Sequence, residues 1–279
     1  MPRHLFWLVF LTLIAAVAQA VSPGKLAISG IQGGDDRSLV EKTDYPWGAI
    51  GRVNNTMGPF CTGTLIGPRQ VLTAAHCLWN RRTRAWLPPC ALHFLAGYQR
   101  GSHLAHSLVV SYQLADGENA RRNGLSGGPT KDWAVLTLAD DLSNRVSPLP
   151  TLPLDTTSLR SYRQQGLFLQ AGYSRDRPHI LTRNKRCNIV GLTGDDHIAL
   201  HECDATFGDS GSPILFERDG TFHIVAIHVA IHNKTGKGLA VTGKAFHERL
   251  RAMERPESID RSIKRCGVTR TKRESIVLN

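Results

Sequence analysis

The chain has 279 residues, with 34 Lys and Arg against 23 Asp and Glu, 41% hydrophobic and 20% charged residues. That balance excludes a disordered or collagen-like chain and leaves enough apolar residues for a sizeable core, in one large domain or two of modest size. The formal net charge of +11 allows a loose attraction to anionic surfaces, but the basic residues are scattered and form no aromatic-interleaved module, so no nucleic-acid partner is expected.

In chain order, Arg3 and His4 precede an almost unbroken apolar run from Leu5 to Ala18, and Ala18-Gln19-Ala20 then offers small residues for cleavage. Residues 1–20 read as a secretion signal. The run falls short of the roughly 20 residues that cross a bilayer, and no later segment is apolar enough, so no membrane partner is expected. The expected location is extracellular or periplasmic. All six cysteines, Cys61, Cys77, Cys90, Cys187, Cys203 and Cys266, lie beyond the signal. An even number in an exported chain implies disulfides and leaves the pairing open, and the spacing contains no CxxC clasp, so no metal site is expected.

From Tyr45 to about Val241 short β-branched and apolar runs alternate with turn residues, predicting strands at 45–53, 60–66, 69–73, 107–113, 133–138, 166–172, 198–203, 213–217, 222–231 and 238–242. The fold class is all-β, of barrel or sandwich type. Residues 80–84 and 115–131 read as exposed loops. Pro148, Pro150 and Pro153 deny backbone donors between the two strand-rich halves and mark a boundary there. Lys244 to Met253 reads as a helix, with Ala245, Leu250 and Met253 on one side, and residues 254–279 as a charged extension.

Three segments carry chemistry: Thr73-Ala74-Ala75-His76-Cys77, Lys131-Asp132-Trp133-Ala134-Val135-Leu136 and Gly208-Asp209-Ser210-Gly211-Ser212-Pro213. Amide hydrolysis needs a nucleophile, a base that takes and returns a proton near neutral pH, and an acid that fixes the base's tautomer. Ser210, His76 and Asp132 supply these groups. Glycines flanking Ser210 allow a sharp turn that aims the Gly208 and Ser210 N–H groups at one developing oxyanion. No cofactor is needed for this chemistry.

With Cys61-Thr62-Gly63-Thr64-Leu65-Ile66 ahead of His76 and the order His, Asp, Ser, the chain resembles the chymotrypsin-like serine peptidases over roughly residues 31–250, whose triad is a standard template of acyl transfer. Gly34-Asp35-Asp36-Arg37, Tyr45-Pro46-Trp47, Asp132-Trp133-Ala134 and Cys203-Asp204 look most like the secreted bacterial branch that includes glutamyl endopeptidases. The resemblance implies two six-stranded Greek-key β-barrels with a C-terminal helix. The first barrel spans 31–145 with His76 and Asp132, the second 146–243 with Ser210, and the helix and tail 244–279, after a short propeptide at 21–30. It also implies a Cys61–Cys77 disulfide. A Cys187–Cys203 bridge would brace the loop before the nucleophile, leaving Cys90 and Cys266 to pair by elimination. The implied partner is a protein or peptide substrate and the implied state a monomer.

The pattern also departs from the family. In trypsin-like zymogens a newly exposed amino terminus pairs with the Asp before the nucleophile, here Asp209. Ile31-Gln32-Gly33-Gly34 resembles that terminus, but it follows Gly30 rather than Lys or Arg, so the mature terminus stays open between Val21, Leu26 and Ile31. A buried Asp209 would need an ammonium or several backbone donors. Two residues point to opposite specificities. Asp204, six residues before Ser210, matches the floor of a pocket for Lys or Arg, whereas His228 matches the histidine with which glutamyl endopeptidases bind an acidic side chain. Both could instead meet in one pocket as a neutralised pair. The rival from another class is a catalytically silent, protease-like binding protein with a basic surface.

Overall fold

The computed structural model describes residues 30–56, 58–117, 128–185 and 187–251, and the backbone alone of 252, 268–270 and 276–278. The first half is a closed barrel. Its strands are β2 (Ile50–Asn55), β3 (Cys61–Gly67), β4 (Gln70–Thr73), β7 (Leu92–Ala96), β8 (Ala105–Leu114) and β9 (Ala134–Leu138), in the order β2-β3-β4-β9-β8-β7. β2 closes the ring by pairing with β7 at Gly51↔Ala96 through Asn55↔Leu92, which removes both sheet edges. Alternation fills the interior: Leu92, Phe94 and Ala96 of β7 point inward while His93 and Leu95 are half-exposed. Two short strands, β5 (Trp79–Asn80) and β6 (Ala85–Trp86), form a hairpin whose tip is the basic segment 81–84.

The second half is one eight-stranded sheet in the order β1-β11-β10-β14-β15-β16-β13-β12. It contains β1 (Ser38–Leu39), β10 (Leu167–Gly172), β11 (Thr182–Asn184), β12 (Ile189–Thr193), β13 (Ile198–His201), β14 (Pro213–Arg218), β15 (Thr221–Ile231) and β16 (Gly238–Thr242). The all-β, two-part architecture is the expected one, except that β1 and β12 do not pair, so the second half is a half-barrel rather than a six-stranded barrel. β1 comes from the start of the chain yet pairs with β11 at Ser38↔Arg183. The proline-containing boundary is tied to both halves, because Leu149 donates to the Leu65 carbonyl at 2.9 Å and Leu152 to the Ile224 carbonyl at 2.9 Å.

Two α-helices among the described residues complete the fold. α1 (Thr156–Gln165) was not expected from the sequence; a reciprocal capping box starts it, with Asp155 and Ser158 bonding each other's backbone N–H. α2 (Gly243–Ala252) lies where the sequence predicted a helix. Its buried Phe246 and Leu250 form the apolar face, and Phe246 packs edge-on against Trp133 at 6.0 Å. Met253 lies outside the described residues. The tail's described backbone forms two short antiparallel strands, β17 (Val268–Arg270) paired with β18 (Ile276–Leu278).

Candidate active site

His76 lies in a 3-10 turn, Ala75–Leu78, immediately after β4, and Asp132 lies just before β9. β4 and β9 are hydrogen-bonded neighbours, with Thr73 opposite Ala134, so strand pairing closes a sequence gap of 56 residues. One carboxylate oxygen of Asp132 meets His76 Nδ1 at 2.7 Å, and the other accepts the His76 backbone N–H at 2.8 Å. An ionised carboxylate only accepts, so Nδ1 carries a proton, and in the neutral imidazole Nε2 then has its lone pair free. Buried Trp133, backed by α2, fixes the backbone next to Asp132.

Ser210 sits on the loop that enters β14. Its carbonyl accepts the Thr62 N–H at 2.9 Å and lies 3.9 Å from Cys77 Sγ, which puts the loop against β3 and the His76 turn. Ser210 is half-buried, and its hydroxyl makes no hydrogen bond to His76 or to any other group among the described residues. Gly208 has φ +100°, and a Cβ there would fall 2.5 Å from the Tyr173 carbonyl oxygen, so only glycine fits. The adjoining peptide planes are fixed from outside: the Phe207 carbonyl accepts from Arg175 N at 2.6 Å and the Gly208 carbonyl from Thr62 Oγ1 at 3.0 Å. In a trans peptide the Gly208 N–H points away from the Phe207 carbonyl. Neither that N–H nor the Ser210 N–H is bonded among the described residues, so both stay available as donors.

Asp209 is buried, and its Oδ2 accepts the Ser174 hydroxyl at 2.6 Å and the Thr206 N–H at 2.8 Å. The donors are thus one hydroxyl and one backbone amide, and no ammonium touches it among the described residues. Burial pushes its pKa up to about 6, against the pull of Ser174, Thr206 and the nearby Arg37.

Asp204 and His228 do not meet. Asp204 is buried and turned toward the start of the chain, where its two oxygens accept the Gln32 N–H at 2.6 Å and the Asp36 N–H at 3.2 Å. No ion pair joins it to His228 among the described residues, so the alternative of a neutralised pair in one pocket is not realised. His228, on β15 beside a bulge against β16, is 2% exposed, and its Nδ1 lies 3.0 Å from His201 Nε2. Burial holds both imidazoles below their ordinary pKa; His228 is pushed down to about 4, with His76 adding a like-charge penalty.

His201 escaped sequence reasoning. Its ring lies against Gly238, its partner across β13 and β16, where a Cβ would fall 2.0 Å from the ring carbon Cε1. A glycine within a strand, 37 residues on, was the available signal, and it is legible only once the register is known.

Cys61–Cys77 and Cys187–Cys203 are disulfides. Cys90 is also disulfide-bonded, and Cys266 lies outside the described residues. His76 and His201 each sit beside one of these bridged cysteine pairs, whose thiols are consumed.

The geometry can be set beside known proteins. The sequence profile described as trypsin-like peptidase domain matches residues 61–227, more than half of the chain. The chain belongs to the trypsin-like peptidase family. This trypsin-like peptidase is 41% identical over 132 residues to a glutamyl endopeptidase of Bacillus licheniformis, covering 46% of this chain and 39% of that one. It is 27% identical over 209 residues to coagulation factor XII of Cavia porcellus, covering 64% of this chain and 33% of that one. The chain therefore spans well under half the length of these curated relatives. Its fold matches a solved Glu endopeptidase in complex with MPD with a TM-score of 0.66 at 20% identity, over 81% of this chain and 99% of the other.

Proposed function

We propose that the chain is a secreted serine endopeptidase. Ser210 is the nucleophile, His76 the base, Asp132 its orienting acid, and the Gly208 and Ser210 amides the oxyanion donors. The observation that carries this reading is the two-point bond of Asp132 to His76, at 2.7 and 2.8 Å, beside a loop that presents two unbonded amides next to a serine. His76 Nε2 takes the Ser210 proton as Oγ attacks the scissile carbonyl, and Asp132 stabilises the imidazolium. The proton then passes to the leaving amine, and water hydrolyses the acyl-enzyme. Substrate entry brings the Ser210 hydroxyl onto Nε2, since such bonds commonly tighten only in the Michaelis complex. Residues 1–20 direct export; no helix among the described residues is long and apolar enough to cross a membrane.

The preferred residue before the scissile bond is Glu. The Cys203 N–H donates to His201 Nδ1 at 3.2 Å, so His201 carries its proton on Nε2 and gives it to His228 Nδ1. That leaves the proton of neutral His228 on Nε2, where it makes no other bond among the described residues and can meet a substrate carboxylate. Asp204, committed to two backbone amides, is not free to select Lys or Arg. The likeness to a glutamyl endopeptidase supports the same preference.

Digestion of a mixed peptide library by the purified protein, with cut sites read by mass spectrometry, tests this reading. Cuts after Glu that vanish in Ser210→Ala are expected. Cuts after Lys or Arg would overturn the specificity. No cuts and no labelling of Ser210 by a fluorophosphonate would favour a silent binding protein.

A further inference from the structure

We propose that Arg37 is a positioning residue for this reaction, holding the 206–210 loop through Ser174 and through Asp176 and Thr206, so that the Gly208 and Ser210 amides face the substrate carbonyl. The proposal rests on the endopeptidase reading above. Arg37 precedes β1, far from Ser210 in sequence, and its side chain is 1% exposed. Each of its five N–H bonds is used. Nε and one Nη2 proton go to Asp35 at 2.9 and 3.0 Å, Nη1 gives to Ser174 Oγ at 2.8 Å and Asp176 at 3.2 Å, and the second Nη2 proton goes to Asp176 at 2.6 Å. The guanidinium is thus bidentate to two carboxylates and has one donor aimed at a hydroxyl.

Two routes run from this hub to one oxygen atom. Arginine only donates, so Ser174 must accept from Arg37 and spend its single proton on Asp209 Oδ2, 2.6 Å away. Along the second route Asp176, oriented by Arg37, accepts the Thr206 hydroxyl at 3.0 Å, and the Thr206 N–H reaches the same Oδ2 at 2.8 Å. Asp209 lies between the two proposed oxyanion donors in sequence, and its backbone makes the turn: its N–H donates to Thr206 and its carbonyl accepts from Ser212 at 2.8 Å. Fixing the Asp209 side chain therefore fixes the peptides on either side of it. Buried ion networks are often replaceable by apolar packing at little cost in stability, so stability alone does not account for this one. The placement at the loop that must present two amides does.

The test compares the wild-type enzyme with Arg37→Met, Arg37→Lys and Ser174→Ala on a chromogenic Glu peptide. It measures kcat and KM separately, the rate of fluorophosphonate labelling of Ser210, and the melting temperature. Arg37→Met is expected to lower kcat about 100-fold, the scale of a lost oxyanion donor, with KM little changed and labelling slowed in parallel. Arg37→Lys should recover only part of the loss, because an ammonium cannot make both bidentate pairs. Ser174→Ala, which deletes one hydroxyl and keeps the fold even where Arg37→Met does not, is expected to lower kcat about tenfold. An active wild type whose variants keep full kcat, whatever happens to melting temperature or KM, overturns the Arg37 inference alone. A wild type that neither turns over nor labels overturns the endopeptidase reading, and this inference falls with it.

Discussion

His228 shows how one residue's surroundings decide its chemistry. Burial leaves it neutral at pH 7, with a pKa of about 4, so in the proposed specificity role it would offer an N–H rather than a positive charge. A bound Glu carboxylate would favour the charged imidazole and raise that pKa, so by linkage binding is accompanied by proton uptake as the pH falls. Comparing otherwise identical Glu and Gln peptides cancels every pH effect the two substrates share. The ratio of their kcat/KM values is expected to rise steadily from pH 8 to pH 5; a flat ratio would remove His228 from the specificity site. Gly238→Ala tests the residue behind it, since the new Cβ collides with the His201 ring. The expected result is loss of Glu over Gln preference that exceeds the loss of turnover on the Gln peptide.

Among the elements, β13, β15 and β16 enclose two imidazoles that stay neutral when folded, and this makes the sheet sensitive to acid. Both folded pKa values lie below the unfolded histidine value of 6.5, so the unfolded chain binds protons first. Their contribution to stability is complete above pH 6.5 and is lost as the pH falls through that value toward about 4, the folded value for His228. Melting curves of His228→Gln should show a shallower decline between pH 6.5 and 4 than the wild type; parallel curves would contradict it. Strands of this kind were legible where Val, Ile and Thr cluster, as in Thr221 to Ile227. β7 was missed because Leu-His-Phe-Leu-Ala has no β-branched residue and becomes a strand by closing a ring between β2 and β8. α1 was missed because Leu159 is its one buried residue and its capping box, not an apolar stripe, defines it. The segments carrying His76, Asp132 and Ser210 could be read locally, since each is a short motif. The surroundings of Asp204 and His228 could not, because Gln32, Asp36 and His201 reach them only through the tertiary fold.

On the scale of the molecule, the first described residues act as a clasp across the second half rather than as part of the barrel they precede. β1 pairs with β11, Ala205 N donates to the Gly30 carbonyl at 3.0 Å, and Asp204 collects the amides of Gln32 and Asp36, while Arg37 bonds Ser174 and Asp176, which in turn bond Asp209 and Thr206. Asp204 in this arrangement is a fastening for segment 30–37, and its substitution separates fastening from specificity. Asp204→Asn keeps one acceptor oxygen but turns the other into a donor facing the Asp36 N–H, so one charge-assisted bond is lost and the other weakened. Hydrogen bonds to charged groups contribute about 1.5–3 kcal/mol each, so a loss of about 2 kcal/mol is expected. For a protein of this size that lowers the melting temperature by about 4–8 °C. The cut-site preference in the peptide library should not move, because both carboxylate oxygens are bonded to the clasp. A gain or loss of cuts after Lys or Arg in Asp204→Asn would return the residue to the pocket floor, and an unchanged melting temperature would show that segment 30–37 is held by β1 and Arg37 alone.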